Sequence, residues 1–183
     1  MTAFKNLLNR FARDDKGLAL TEFAIAMPFL FAAWLGVCTL VDGETVSTRT
    51  SRSVSTVVDI ITQAAVVNNE RANTAFKAVD ALMGPAMGAD VNLYVVGLDI
   101  DNTGKAKVVW SVAKKGVKPA IGSVYPVPVS LRNRAAGQFL VAAKGSYKHS
   151  PIFGKNLIGD LTYDYEHFFA PRHSDTIEWK PGA

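Results

Sequence analysis

The sequence predicts an α+β fold: an N-terminal transmembrane helix extended as a stalk, followed by one extracytoplasmic domain of amphipathic helices packed on a mostly antiparallel sheet. Three observations carry this. Phe23 to Val41 is a run of 19 residues with no charge and with Thr39 as its only hydroxyl. At ~1.5 Å rise per residue this gives ~28 Å of helix, about the hydrocarbon thickness of a bilayer. Apolar stripes of helical period follow the run, and strand patterns follow the stripes. Helices first and strands second is the order of an α+β domain.

Residues 1–17 read as a cytoplasmic leader, with Lys5, Arg10, Arg13 and Lys16 against Asp14 and Asp15, while the far side of the run opens with Asp42 and Glu44. Basic residues in a short flank stay cytoplasmic, so the N-terminus is expected inside and the remainder across the membrane. Phe4, Leu7, Leu8 and Phe11 fall at i, i+3, i+4 and i+7, the pattern of a short helix lying on the inner face. Residues 18–41 are then the membrane helix. A secretory signal has a shorter apolar core of roughly 7–15 residues and a small-residue cleavage site after it. Leu40, Val41 and Asp42 offer no such site, and Val37 before Cys38 does not suit a lipoprotein signal. A plain anchor satisfies the length and the flanking charges but leaves Glu22 without a reason. A charge at the centre of a membrane helix costs about 2.5–3.5 kcal/mol on insertion scales, and less near an end. Pro28 and Gly36 are expected to break or loosen the helix, because Pro28 has no N–H to donate to the Ala24 carbonyl.

Residues 42–67 read as a stalk helix. The Ser/Thr-rich part, 45–56, has poor helix propensity, yet Val54, Val57, Val58, Ile61, Ala64 and Ala65 trace one helical face. Residues 68–183 form the extracytoplasmic domain. Asn68 and Asn69 look like a cap and break, and Ala72, Ala75, Phe76, Val79, Leu82 and Met83 give a second stripe ended by Gly84-Pro85. Strands are expected over 91–100 and 107–113, joined by a hairpin loop at 101–104, and again over 138–147 and 162–169. Residues 116–128 read as a long Gly/Pro-punctuated loop, and the tail around 177–179 as an added edge.

Gly17 followed five residues later by Glu22, with Phe23 after the glutamate, resembles the processing site of type IV prepilins. The aromatic after the acid is typical of the tight-adherence (Tad, or Flp) subclass. Glu22, Phe23 and Ala24, then Pro28 and Gly36, are similar to the TadE/TadF-like pseudopilins of that system. Later pieces fit the same look: Ala81 to Pro85, Tyr147 with Pro151 and Phe153, and Pro171-Arg172 before Ile177 and Trp179. Thr39 stands near the end of the span, where that family often has an acid.

The resemblance implies a prepilin peptidase cut between Gly17 and Leu18, with other Tad pilins, an inner-membrane assembly platform and membrane lipids as partners. Cutting would free an α-amine at Leu18, cationic at neutral pH with an ordinary pKa of about 7.7–8.0. That amine would lie within one helical turn of Glu22, or within reach of Glu22 in a staggered neighbour. A helix able to bend at Pro28 and Gly36 could also move from bilayer to filament packing; ordinary tolerance of such residues in membrane helices is the simpler reading.

The formal charge of +4 includes +2 from the leader, leaving +2 over residues 18–183, so the basic pI gives little support to nucleic-acid binding. The charge is segregated, however: residues 102–159 hold ten Lys/Arg and no acid, residues 18–101 are at −5 and residues 160–183 at −3. Such a stretch is either a solvated face or a contact with the acidic part of a neighbour. Lys114, Lys115, Lys118, Arg132 and Arg134 are the candidate contact residues.

No catalytic constellation is legible. His149, His167 and His173 lack zincin spacing, and Cys38 lies within the apolar run, so neither a metal centre nor a cofactor is expected. His149 beside Ser150 reads as a strand end rather than as half of a triad. Asp99, Asp101, Thr103 and Gly104 match the first half of a calcium loop, but Trp110 stands where a bidentate Glu is required, and a plain hairpin competes. A single cysteine leaves the stability of the domain to packing. The reading is therefore structural, not enzymatic: a minor pilin or pseudopilin acting at initiation or at the tip of an adhesive pilus. An uncleaved single-pass scaffold of the same secretion apparatus and a membrane-anchored module binding polyanions are the alternatives.

Overall fold

A computed structural model describes residues 18–182. The leader, Gly17 and the amphipathic pattern at 4–11 lie outside the described residues. Helix α1 (Leu18–Thr62) runs unbroken for 45 residues, roughly 68 Å at ~1.5 Å per residue. It passes through Pro28 and Gly36 without interruption, so the break expected there is corrected. One missing N–H removes one rung from a long ladder, which the neighbouring turns hold in register.

The two halves of α1 differ completely. Side chains up to Val41 are largely exposed, including Phe23, Phe29, Leu30, Trp34 and Leu40. From Gly43 onward one face is buried, with Val46, Val54, Val57, Val58 and Ile61 in the main core. The helix ends at Thr62 rather than at 67. Arg172 explains the stop: its backbone N–H donates to the Thr62 carbonyl at 3.0 Å, and its guanidinium pairs with Asp59 one turn earlier. A cation at a helix C-terminus also suits the macrodipole. Val66–Val67 is instead a short strand, β1, whose parallel partner, introduced last below, is the C-terminal Glu178–Trp179.

Helix α2 (Asn69–Met83) is capped by Asn68, whose side-chain oxygen accepts from the Arg71 N–H at 2.8 Å. It buries Ala72, Ala75, Phe76, Val79 and Met83, while Leu82 of the expected stripe is 39% exposed. Gly84, at φ +86°, ends it in a conformation open to glycine, and Pro85 starts a further short helix, α3 (Pro85–Ala89).

The sheet comprises β2 (Asn92–Ile100), β3 (Ala106–Lys115), β4 (Val124–Tyr125), β5 (Phe139–His149) and β6 (Leu161–Phe169). Its spatial order is β4-β3-β2-β5-β6, and every pairing in it is antiparallel. Two register shifts in β3 leave Val109 and Lys114 as the extra residues. Strand β4 falls inside the loop expected over 116–128, and two short helices not expected from the sequence, α4 (Val129–Arg132) and α5 (Lys155–Ile158), lie in the connections before β5 and β6. The tail strand β7 (Glu178–Trp179) pairs with β1 in its own two-stranded sheet instead of extending the main one.

One sheet face, carrying Leu93, Val95, Trp110, Val141, Ala143 and Tyr147, packs on α1 and α2. The other curls over Val96, Leu98, Val108, Leu140 and Ala142 and is closed by Tyr125, Val127 and Ala135. Trp110 joins the tail to the first core: its indole N–H donates to the Ile177 carbonyl at 2.8 Å, and its ring stacks on Trp179.

Candidate functional site

The candidate site is α1 itself, read from its exposed start to its entry into the domain. Glu22 is exposed, and among the described residues no ion pair is formed with it. Phe23 beside it is 61% exposed. The segment is long and apolar enough to cross a membrane, with 6% of its most apolar window buried in the protein. An exposed apolar surface this large is unfavourable in water, and the length of the run suits a membrane anchor.

Where the apolar run ends, the helix meets the sheet through a polar seam. Asp42 Oδ2 lies 3.0 Å from Nε2 of the buried His149. One residue on, Gly43 faces Tyr163, whose hydroxyl would stand 2.9 Å from any Cβ placed there. Ser47 Oγ and the Tyr165 hydroxyl are 2.6 Å apart, and Ser51 Oγ is 3.3 Å from His167 Nε2. The spacing has a geometric reason. Four helical residues advance ~6 Å, and two strand residues advance ~6.8 Å, so positions 43, 47 and 51 stay in step with 163, 165 and 167. Burial, followed by Tyr165, Asp42 and Glu44, pushes the Tyr163 phenol above its ordinary range.

The same seam accounts for the Ser/Thr content that argued against a helix. Thr50 and Ser53 are buried and return their hydroxyls to the Val46 and Arg49 carbonyls at 2.8 Å. Small side chains let helix and sheet approach closely; at Gly145 a Cβ would stand 2.3 Å from Val54 Cγ2. The sequence carries this signal as small residues at 43, 47 and 51, spaced four apart beside the valine stripe.

The basic candidates divide. Lys114 Nζ lies 2.5 Å from Asp80 Oδ1 and donates to the Gly88 carbonyl at 2.7 Å, with its side chain only 16% exposed. Lys115 pairs with Asp90 at 2.9 Å. Lys118 donates to the Ser111 carbonyl and Arg132 to the Val127 carbonyl. Arg134 is exposed on the turn after α4. Four of the five thus bond within the domain: Lys114 and Lys115 to partners distant in sequence, which the sequence alone does not reveal, and Lys118 and Arg132 to carbonyls seven and five residues away. Lys114→Glu places a second acid beside Asp80 and is expected to lower the melting temperature by several degrees, for a loss of about 1–3 kcal/mol. Arg134→Glu is expected to leave melting unchanged, so only Arg134 can report cleanly on an intersubunit contact.

The 101–104 loop is a hairpin closed by Asp101, whose Oδ1 accepts from the Thr103 N–H at 2.8 Å, the Thr103 hydroxyl at 2.6 Å and the Lys105 N–H at 2.9 Å. The Thr103 hydroxyl, then Lys105, holds its carboxyl below the ordinary range. Trp110, at the twelfth position, is in the core. Clefts open on the domain at several places, two of them near the residues discussed above. One of about 560 Å³ lies against Trp110 and Trp179, and one of about 790 Å³ lies between Val37–Arg49 and the strand end at His149. Comparison with protein-family models, curated proteins and solved structures finds no match to this chain.

Proposed function

We propose that the chain is a minor pilin of a tight-adherence pilus, similar to the TadE/TadF pseudopilins. It is inserted with its N-terminus in the cytoplasm, cut between Gly17 and Leu18 by a prepilin peptidase, and assembled with partner pilins at initiation or at the tip. The observation that supports this best is the division of one continuous helix. Its outer half is built into a domain, whereas its inner half presents apolar side chains and a lone acid, Glu22. A plain tether needs the length but not the acid.

The energetics agree with a role for that acid. Unit charges ~4 Å apart attract by about 4 kcal/mol at an effective dielectric near 20, before desolvation is subtracted. That is comparable to the insertion cost of the carboxylate, about 2.5–3.5 kcal/mol at most. The freed amine of Leu18 would therefore make burial of Glu22 tolerable and fix subunit register in the same contact. Processing becomes the switch, since the uncut chain has no amine at that position.

Mass spectrometry of the membrane-extracted protein tests the reading. A chain beginning at Leu18 supports it; one beginning at Met1 or Thr2 favours the uncleaved scaffold. The polyanion reading is tested by heparin retention of the full chain at physiological salt. With four of the five candidate cations engaged in the domain, retention is expected to be weak.

A further inference from the structure

The segment 150–160, between β5 and β6, exposes Ile152 at 81%, Phe153 at 47% and Ile158 at 52%. These are large apolar side chains on a connection where polar residues would cost nothing. Their position along α1 gives the reason. The Phe153 carbonyl accepts a hydrogen bond from Thr39 Oγ1 at 3.3 Å, and the same hydroxyl also bonds the Leu35 carbonyl at 2.9 Å. Thr39 lies within the apolar run, two residues before its end, and so ~3 Å inside the level of Val41. Ile152 independently lines the cleft with Val37, Cys38 and Val41, at the same level of the helix. The domain thus does not stand clear of the run on its stalk. Its sheet packs alongside 43–62, and the β5–β6 connection hangs beside the last turns of the apolar segment.

We propose that this connection is a second membrane contact, inserting Ile152, Phe153 and Ile158 into the outer leaflet beside the spanning helix. The proposal rests on the reading of Phe23–Val41 as a membrane span. Charge placement fits a boundary. Lys148 precedes the apolar tip and Lys155 lies between Phe153 and Ile158, and both pair with Asp160, at 2.8 and 3.7 Å, where the chain returns to the sheet. Ser150 donates to the same carboxylate and closes the base of the loop. Lysines at such a level keep their ammonium groups among lipid headgroups while their stems lie along apolar surface. Two contacts, a helix and a loop, fix the rotation of the domain about the helix axis, which one helix alone leaves free.

The latch has a defined acid limit. Lys148, then Ser150, with Lys155 adding to them, holds the Asp160 carboxyl at about 2 instead of 3.8. A depressed carboxylate contributes its full stabilisation above the ordinary value and loses it as pH falls toward the folded one. The loop is therefore expected to stay closed above about pH 4 and to lose amide protection, measured against intrinsic exchange, progressively as pH falls from 3.8 toward about 2. Asp160→Asn should show raised exchange already at neutral pH, with no acid step.

The test uses the full chain with Cys38→Ala, reconstituted sparsely in phosphatidylcholine vesicles and labelled with an environment-sensitive fluorophore at single cysteines. Label at Ile152→Cys or Ile158→Cys is expected to show blue-shifted emission, quenching by a shallow acyl-chain nitroxide and resistance to aqueous iodide. Label at Lys105→Cys, at the far end of the sheet, is expected to show the reverse. Label at Leu30→Cys reports the span, with quenching by a deep nitroxide. If Leu30 is protected while 152 and 158 are open to iodide, the loop proposal is overturned and the span stands. If Leu30 is itself open to iodide, both fall. If 152 and 158 resist iodide without nitroxide quenching, protein covers the loop and the proposal is overturned.

Discussion

Under the proposed pilin role, Glu22→Gln is expected to leave insertion, processing and domain folding intact while abolishing pilus assembly. The amide is nearly isosteric and cheaper to bury than a carboxylate, so a helix whose only task is anchoring should tolerate it or gain from it. The side chain is exposed on a half of α1 that touches none of the domain core, so the melting temperature should not move. What changes, on the proposed reading, is the partner for a Leu18 amine freed by processing. A buried cation left alone carries a desolvation penalty of several kcal/mol, and each 1.4 kcal/mol is tenfold in an association constant, so assembly should fall by orders of magnitude. The measurement is surface pili counted by electron microscopy, with the processed and unprocessed chain separated by gel mobility.

The second large effect concerns the seam that holds the domain on its helix. Gly145→Val is expected to destabilise the domain strongly, because even a Cβ at that position would lie 2.3 Å from Val54 Cγ2 and 3.1 Å from Leu93 Cδ1. Both neighbours are fully buried, so the helix must lift from β5. Overpacking of this kind costs about 1–3 kcal/mol or more, and at roughly 2–4 °C per kcal/mol the melting temperature should fall by on the order of 5–10 °C. Val54→Ala in the same chain should recover part of the loss by vacating the contact. If Gly145→Val melts like the parent, the close approach of stalk and sheet is not what positions the domain.

Much of the architecture was legible because its signals are local. The uncharged run, the valine stripe from Val54, the Asn68 cap, the Gly84-Pro85 stop and four strands of the main sheet all follow from periodicity and turn chemistry. What escaped depends on partners distant in sequence. The end of α1 at Thr62 is set by Arg172, and the assignment of Val66–Val67 to a strand by Glu178–Trp179. Lys114, chosen as a surface contact for its charge, is drawn inward because a shifted register aims it at Asp80. Thr39, marked only as a departure from a family pattern, carries the contact to Phe153. The site residues at 22–23 are placed on an exposed helix; their pairing needs an amine that only processing would create.

Carbodiimide coupling tests that pairing most directly. A membrane-permeant carbodiimide activates a carboxylate within lipid and yields an amide only with an amine already in contact. In assembled, processed protein, the account predicts a peptide in which the Leu18 α-amine is joined to the Glu22 side chain, within one chain or between two. Recovery of Glu22 as an unlinked carbodiimide adduct, with the Leu18 amine still free, would contradict it.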